Sequence, residues 1–478
     1  MNNKSVKSCL DISNKIVKGE IDLSSFYDEF YKEMDKLTSR NYIITQAPKH
    51  KTQERIKKIE EEAKKDKNIL KKKPLLGIPV TIKDCITTKG IRTTAGSKIL
   101  DEYIPVFDAT VVEKIQEAGG IIVGKTSMDE FGFGTFSTNC AYGIPKNPFD
   151  IERSCGGSSG GSCGFTGKIS LPHIAVAEST GGSISCPSSF CGVFGITPTY
   201  GKVSRWGMID YASSFDKIGT VSTNLEDAVL LLNVISGIDK RDSTTVESEK
   251  IVLDKEKQKN ISIAIPKEYI DAIENKEILN QFNNAKESLK KQGVKIEEVS
   301  LKTTKYAVSC YYIIAMAEAS TNLAKFCGLR YGMQEDPKKL HFDKYFSQIR
   351  TKYFGTETKR RSIIGTYIRM AGFRDKYYLK AMQVRTLIIN DFKKIFEKYD
   401  AILSPTMPIV APKFSEIEKL SPKQIYSLDI LTVGPNLAGF PTISVPFGKA
   451  ENMPVGMQLI GNHLCEEKIA NITSLIKD

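Results

Sequence analysis

The chain has 478 residues, 41% of them hydrophobic and 26% charged, enough apolar material for a large core and the wrong composition for a disordered chain. No apolar run is long enough to cross a bilayer, and the ten cysteines form no CxxC pair, so a membrane span and a disulfide or thiol-zinc scaffold are not expected. The formal net charge of +12 suits work near a polyanion such as RNA without identifying one.

The N-terminus from Met1 to Asp11 lacks the apolar segment of a signal peptide. Lys4, Lys7, Lys15 and Lys18 are accompanied by Asp11, Glu20 and Asp22 and by no arginine, which argues against a mitochondrial presequence. Residues 8–70 carry helical patterning, and the mixed charges between Lys57 and Lys73 read as a solvated surface helix. The run Leu75–Lys83 reads as a buried strand ending on a lysine. A helix is predicted over Ala109–Ala118 and a short strand over Ile121–Val123. Residues 132–167, rich in Gly, Ser, Asn and Pro, read as turns. His173–Ala177 and Val193–Ile196 read as core strands, and Leu225–Ile235 as a helix. This alternation predicts an α/β fold with a central mixed sheet covered by helices. Residues 250–400 then hold a strand pair, Ile261–Ile265 and Val294–Val299, followed by helical stretches at Cys310–Phe326 and Ile363–Tyr399. Core strands return at Ala401–Ser404, Thr442–Val445 and Pro454–Leu459. One domain over 1–478 is expected, made of an N-terminal helical segment (1–70), a core (75–245), a largely helical insertion or cap (250–400) and a return to the sheet (401–478).

Gly119–Thr126 matches the phosphate-loop pattern GxxxxGK[ST], but its middle residues, Ile121-Ile122-Val123, read as the buried strand itself, and a helix precedes it where a strand is needed. A nucleotide site is not expected there. No metal is expected either, because His50, His173, His341 and His463 are scattered.

The informative stretch is Cys155-Gly-Gly-Ser158-Ser159-Gly-Gly-Ser162, followed by Ser179-Thr180-Gly181-Gly182-Ser183-Ile184-Ser185. Each Gly-Gly-Ser can set a serine on a tight turn with room for a substrate. The amides of Thr180, Gly181, Gly182 and Ser183 can converge as an oxyanion hole. A serine nucleophile needs a base, and a desolvated lysine can serve if its surroundings keep it neutral. Lys83, ending an otherwise apolar strand, is the outstanding candidate. His173, at the start of an apolar run, is the next.

These motifs resemble those of the amidase signature enzymes: the lysine in Gly77-Ile-Pro-Val-Thr-Ile-Lys83-Asp84, the doubled serine and the later Thr-Gly-Gly-Ser. The resemblance implies the amidase-signature fold, with Lys83 as base, Ser158 as bridge after a cis peptide, and Ser183 as nucleophile passing through an acyl ester. It narrows to the A subunits of tRNA-dependent amidotransferases through Ser127-Met-Asp-Glu-Phe131, Ala141-Tyr-Gly143, Lys146-Asn-Pro148, Pro198–Arg205, Asp242-Ser-Thr-Thr245, Ala317–Leu323, Leu329-Arg-Tyr-Gly332, Asp429–Val433 and Pro454–Gly461, collinear across roughly 75–462. The chain departs from that pattern at Ser179 (usually Asp, here with Glu178 beside it), at Ser185 (usually Arg), at Thr197 (usually Lys) and in a serine-to-serine spacing one residue longer. Joint loss of an Asp–Arg pair is less costly than stranding one partner, and Glu178 is placed to refill the carboxylate position.

The resemblance further implies glutamine as substrate, with Arg361 taking its carboxylate, Asp429 its ammonium and Tyr312 lining the pocket. Arg360 competes with Arg361, and a helix-start role competes for Asp429. It implies that released ammonia passes to a B subunit, clamped by a small C subunit. There ATP and Mg²⁺ activate Glu-tRNA(Gln) or Asp-tRNA(Asn), with no cofactor in this chain and a cytoplasmic location, a mitochondrial or plastid matrix being the lesser option. The alternatives are a free-standing amidase of small amides and a catalytically weakened RNA-binding scaffold.

Overall fold

The computed structural model describes residues 8–254, 260–337 and 340–476; Lys4 and Lys7 of the presequence argument lie outside them. Eleven strands form one mixed sheet: β1 (Ile43–Gln46), β2 (Pro79–Lys83), β3 (Ile121–Thr126), β4 (Ile174–Ser179), β5 (Phe194–Thr197), β6 (Lys217–Ser222), β7 (Ser262–Pro266), β8 (Lys295–Val299), β9 (Ala401–Pro405), β10 (Thr442–Ala450) and β11 (Met453–Ile460). Their spatial order is β1-β3-β2-β4-β6-β5-β10-β11-β9-β7-β8. β2 runs parallel to both β3 and β4, whereas β6, β5, β10 and β11 pair antiparallel. Helices cover both faces, as the side-chain alternation requires. On β4, Ile174 and Val176 enter one apolar cluster, while Ala175 and Ala177 enter the other.

Local signals explain several boundaries. Asn224 caps the helix Leu225–Ile235 by accepting from the Asp227 amide at 2.8 Å, and Gly192, at φ 63°, ends the helix Ser185–Cys191. The expected long helix Ile363–Tyr399 is instead two helices, Thr356–Arg369 and Lys380–Phe396, joined through a π-helical turn at Asp375–Leu379. Gly372, at φ +82°, interrupts it with a backbone angle that a right-handed helix does not use.

Two strands fall outside the sequence expectation. β1 sits inside the segment read as helical; it is only four residues long and pairs with β3 at the sheet edge. β6 begins on a buried lysine and contains Gly219, which hides its apolar pattern. The strand pair β7–β8 joins this same sheet through β9. The phosphate-loop lookalike is β3 itself. Lys125 is buried there and bonded to Ile86 O, Thr88 Oγ1 and Thr93 Oγ1. Among the described residues no helix is long and apolar enough to cross a membrane.

Candidate active site

Parallel strands deliver their carboxyl ends to one edge, so the loops after β2, β3 and β4 converge there. Lys83 ends β2, the Ser127–Gly132 segment follows β3, and the Thr180–Ser183 turn follows β4. Ser158 approaches from the loop ahead of the helix Gly160–Lys168, after a cis Gly157–Ser158 peptide. Three contacts tie this loop in place: Asp129 N donates to Ser158 O at 3.2 Å, Ser159 N to Ser183 O at 3.2 Å, and Ser159 Oγ to Glu178 O at 2.9 Å.

Lys83 is fully buried. Its Nζ donates to Ser158 Oγ at 2.8 Å, to Glu178 O at 3.0 Å and to Glu178 Oε2 at 2.8 Å. Ser183 lines a small pocket with Gly132, Gly134, Thr135, Gly157, Gly181, Gly182, Tyr311, Tyr312, Arg361 and Asp429. The turn is tight: Gly182 has φ +148°, and a Cβ there would run into Thr432 Oγ1, while one on Gly181 would meet the Tyr311 ring. Among the described residues the amides of Gly181, Gly182 and Ser183 donate to no backbone carbonyl, which leaves them to a substrate oxygen.

His173, the other candidate base, is a core histidine. Its Nε2 pairs with Thr81 Oγ1 at 2.8 Å, its ring packs on Phe165, and burial pushes its pKa down to about 3.

The far wall of the pocket holds the two charged residues. Arg361 is buried with its side chain 3% exposed, whereas that of Arg360 is 38% exposed and turned to Glu357; the structure brings Arg361, not Arg360, to the pocket. Arg361 Nε donates to Glu357 Oε1 at 2.8 Å and Nη1 to Tyr211 OH at 2.6 Å. Its guanidinium lies 5.2–5.7 Å from the ring centres of Phe133, Tyr211, Tyr312 and Tyr426. Burial works against its charge, but the surrounding tyrosines and Glu357 outweigh that and hold its pKa above the usual value. Asp429 lies in a short 3-10 helix, Leu428–Leu431, and accepts from Tyr312 OH at 2.6 Å and Thr135 Oγ1 at 3.2 Å. Burial pushes its pKa up to about 6. Tyr426 stacks on Tyr312, with ring centres 4.1 Å apart.

Sequence reasoning missed several residues here. Tyr211, Glu357 and Tyr426 brace Arg361, and no motif marks them. Asp129 accepts from the Ser137 and Asn139 amides at 2.9 Å and pins the loop beneath Gly157; burial pushes its pKa up to about 6. Glu130 joins the core to the helix that carries Arg361, accepting from Ser97 Oγ, from the Gly355 amide at 2.8 Å and from Thr358 Oγ1 at 2.5 Å. Ser179 Oγ and Thr197 Oγ1, two of the positions that depart from the resemblance, are buried without a hydrogen-bond partner.

A serine on a glycine turn, free amides beside it and a buried lysine bonded to a second serine nearby are parts that an acyl-transfer site uses. The amidase family model matches residues 37–469, and the chain belongs to that family. Within it, the sequence is 42% identical over 465 residues to the A subunit of glutamyl-tRNA(Gln) amidotransferase from Geobacillus sp. (strain WCH70), covering 97% of this chain and 95% of that one. It is 46% identical over 397 residues to the same protein from Archaeoglobus fulgidus, covering 83% and 85%. The crystal structure of its Thermotoga maritima counterpart superposes with a TM-score of 0.72 at 40% identity, covering 85% of this chain and 84% of that one. An amidase crystal structure at 24% identity shares the fold, with a TM-score of 0.82.

Proposed function

We propose that this chain is the glutamine-hydrolysing A subunit of a tRNA-dependent amidotransferase. The observation that carries the reading is one pocket holding Ser183, Arg361 and Asp429 together. Glutamine presents an amide at one end and a carboxylate and an ammonium at the other; Arg361 takes the carboxylate and Asp429 the ammonium. Lys83 accepts a proton through Ser158 as Ser183 attacks the amide carbon. The amides of Gly181, Gly182 and Ser183 hold the oxyanion. The C–N bond breaks, ammonia leaves, and water frees glutamate from the Ser183 ester. Ammonia then serves a partner B subunit held by a C subunit, where ATP and Mg²⁺ activate Glu-tRNA(Gln), with Asp-tRNA(Asn) the alternative acceptor. The complex works in the cytoplasm, and the positive net charge suits it to tRNA. The testing experiment is a glutamine-hydrolysis assay on the full chain, alone and with partner subunits, ATP and misacylated tRNA. Glutamate release together with partner-dependent amidation supports the reading. Cleavage of neutral amides with glutamine untouched makes the chain a free-standing amidase.

Two predictions concern selectivity. Arg361→Ala and Asp429→Asn are expected to lower kcat/KM for glutamine roughly ten- to hundredfold, the scale of an ionic hydrogen bond of about 1.5–3 kcal/mol, while propionamide changes little. Arg360→Ala is expected to leave the ratio alone. Equal loss on both substrates in Arg361→Ala and Asp429→Asn makes those residues structural.

The second is a pH dependence. Asp429 binds an ammonium only as a carboxylate, and its raised pKa of about 6 places protonation at unusually high pH. So kcat/KM for glutamine is expected to fall as pH drops through about 6, because that ratio reports the free enzyme. The fall is expected to be absent in Asp429→Asn; its persistence there would assign it to another group.

A further inference from the structure

Thr180 Oγ1 lies 2.7 Å from Glu178 Oε1 and 2.8 Å from Asp216 Oδ1. A hydroxyl has one proton and can donate to only one of two carboxyl oxygens. The other contact is a hydrogen bond only if that carboxyl carries a proton and donates it to Thr180. The Glu178–Asp216 pair therefore holds one proton of its own, a step from the base. The rest of the geometry says where it sits. Glu178 Oε2 faces the Lys83 amino group at 2.8 Å with both side chains almost wholly buried, and so favours its anion. Asp216 accepts the Tyr211 amide through Oδ2 at 2.9 Å and the Ala212 amide through Oδ2 at 3.0 Å and Oδ1 at 3.1 Å, and Oδ1 also lies against Thr180. Burial and the charge of Glu178 push the Asp216 carboxyl up.

We infer that the Ser183–Ser158–Lys83 chain ends on the Glu178 carboxyl, which is a positioning residue that holds the proton Lys83 must give up, oriented by Thr180 and a protonated Asp216. This rests on the triad proposed above. Lys83 Nζ passes an ammonium proton to Glu178 Oε2 and becomes an amine. That amine takes the Ser158 proton as Ser158 takes the Ser183 proton and Ser183 Oγ bonds to the amide carbon. Lys83 is then an ammonium again, while the oxyanion rests on the amides of the turn. When the C–N bond breaks, the proton returns through Ser158 to the leaving nitrogen and departs in ammonia. The transfer from Lys83 to Glu178 neutralises both groups, so no isolated charge is created in the buried site. Other charged or titratable groups near the relay are Asp129, Cys85 and Cys163, which interact with Lys83, and Asp210, which acts on Asp216.

The test is the pH profile of kcat at saturating glutamine, and in parallel with propionamide, for wild type, Glu178→Gln and Glu178→Asp. Saturation with glutamine, like use of the neutral amide, takes Asp429 out of the profile. With the relay, Glu178→Gln moves the acid limb to higher pH by at least about one unit, because the Lys83 proton must now leave for solvent, and activity recovers above it. Glu178→Asp keeps the wild-type limb at reduced kcat. If the carboxylate merely pins an ammonium, its removal frees the amine and moves the limb to lower pH. A lowered or unmoved limb in Glu178→Gln therefore overturns the inference. Should that variant not fold, Glu178→Asp decides: a limb displaced to lower pH than that of the wild type overturns the relay. Wild-type enzyme that spares glutamine but cleaves propionamide refutes the proposed substrate while leaving the relay measurable. Inactivity on both overturns the relay with the triad.

Discussion

Ser183→Ala is expected to abolish glutamine hydrolysis, by roughly 10⁵-fold or more in kcat, while the protein keeps its fold. The serine stands on a turn whose shape is set by Gly181, Gly182 and Thr432 rather than by its own hydroxyl, which opens on the pocket. Thermal unfolding is therefore expected to change little. In the assembled complex, amidation driven by added ammonia should survive, because the nucleophile only supplies ammonia. Glutamate release by the purified variant at anything near the wild-type rate would remove Ser183 from the role.

Lys83→Ala is expected to be nearly as damaging, since members of a catalytic unit are not additive. Unlike the serine change, it also has a structural cost. Lys83 and Glu178 are a buried pair, and removing one partner strands the other, a penalty of about 3–5 kcal/mol. The two effects separate in a double variant. Lys83→Ala with Glu178→Gln should recover most of the lost stability and none of the activity. Lys83→Arg keeps the cation but should not restore hydrolysis, because a guanidinium does not deprotonate in proteins. An active Lys83→Arg enzyme would place the base elsewhere. His173 is a poor substitute, since both its ring nitrogens are engaged by Thr81 and Thr166 within the core.

The sheet and the candidate residues Lys83, Ser158 and Ser183 stood out in the sequence because they rest on local signals. A lysine ending an apolar strand and serines set among glycines advertise themselves. The parallel run of β2 beside β4 then brings them together without further instruction. The same logic hid β6, where Lys217 and Gly219 break the apolar pattern, and hid the break at Gly372 inside a stretch of good helix formers. Arg361 was visible only through resemblance, with Arg360 as its alternative; what separates them is the direction each leaves its helix. The residues that brace it, Tyr211, Glu357 and Tyr426, come from three distant segments and share no spacing rule. Glu178 lay beside the motif, but its contact with Lys83 depends on strand pairing across β2 and β4, which periodicity does not supply.

Glu130 is one carboxylate shared by two halves of the molecule: its backbone follows β3, beside Asp129, and its Oε2 holds the start of the helix Thr356–Arg369. Lys83, Ser158 and Ser183 are all made within the first 183 residues of the chain, while Arg361 and Asp429 come long after. The candidate reacting residues and the candidate binding residues thus come from separate stretches of the chain. A substitution at Glu130 is therefore felt at the pocket wall that carries Arg361, although Glu130 itself lies outside the pocket.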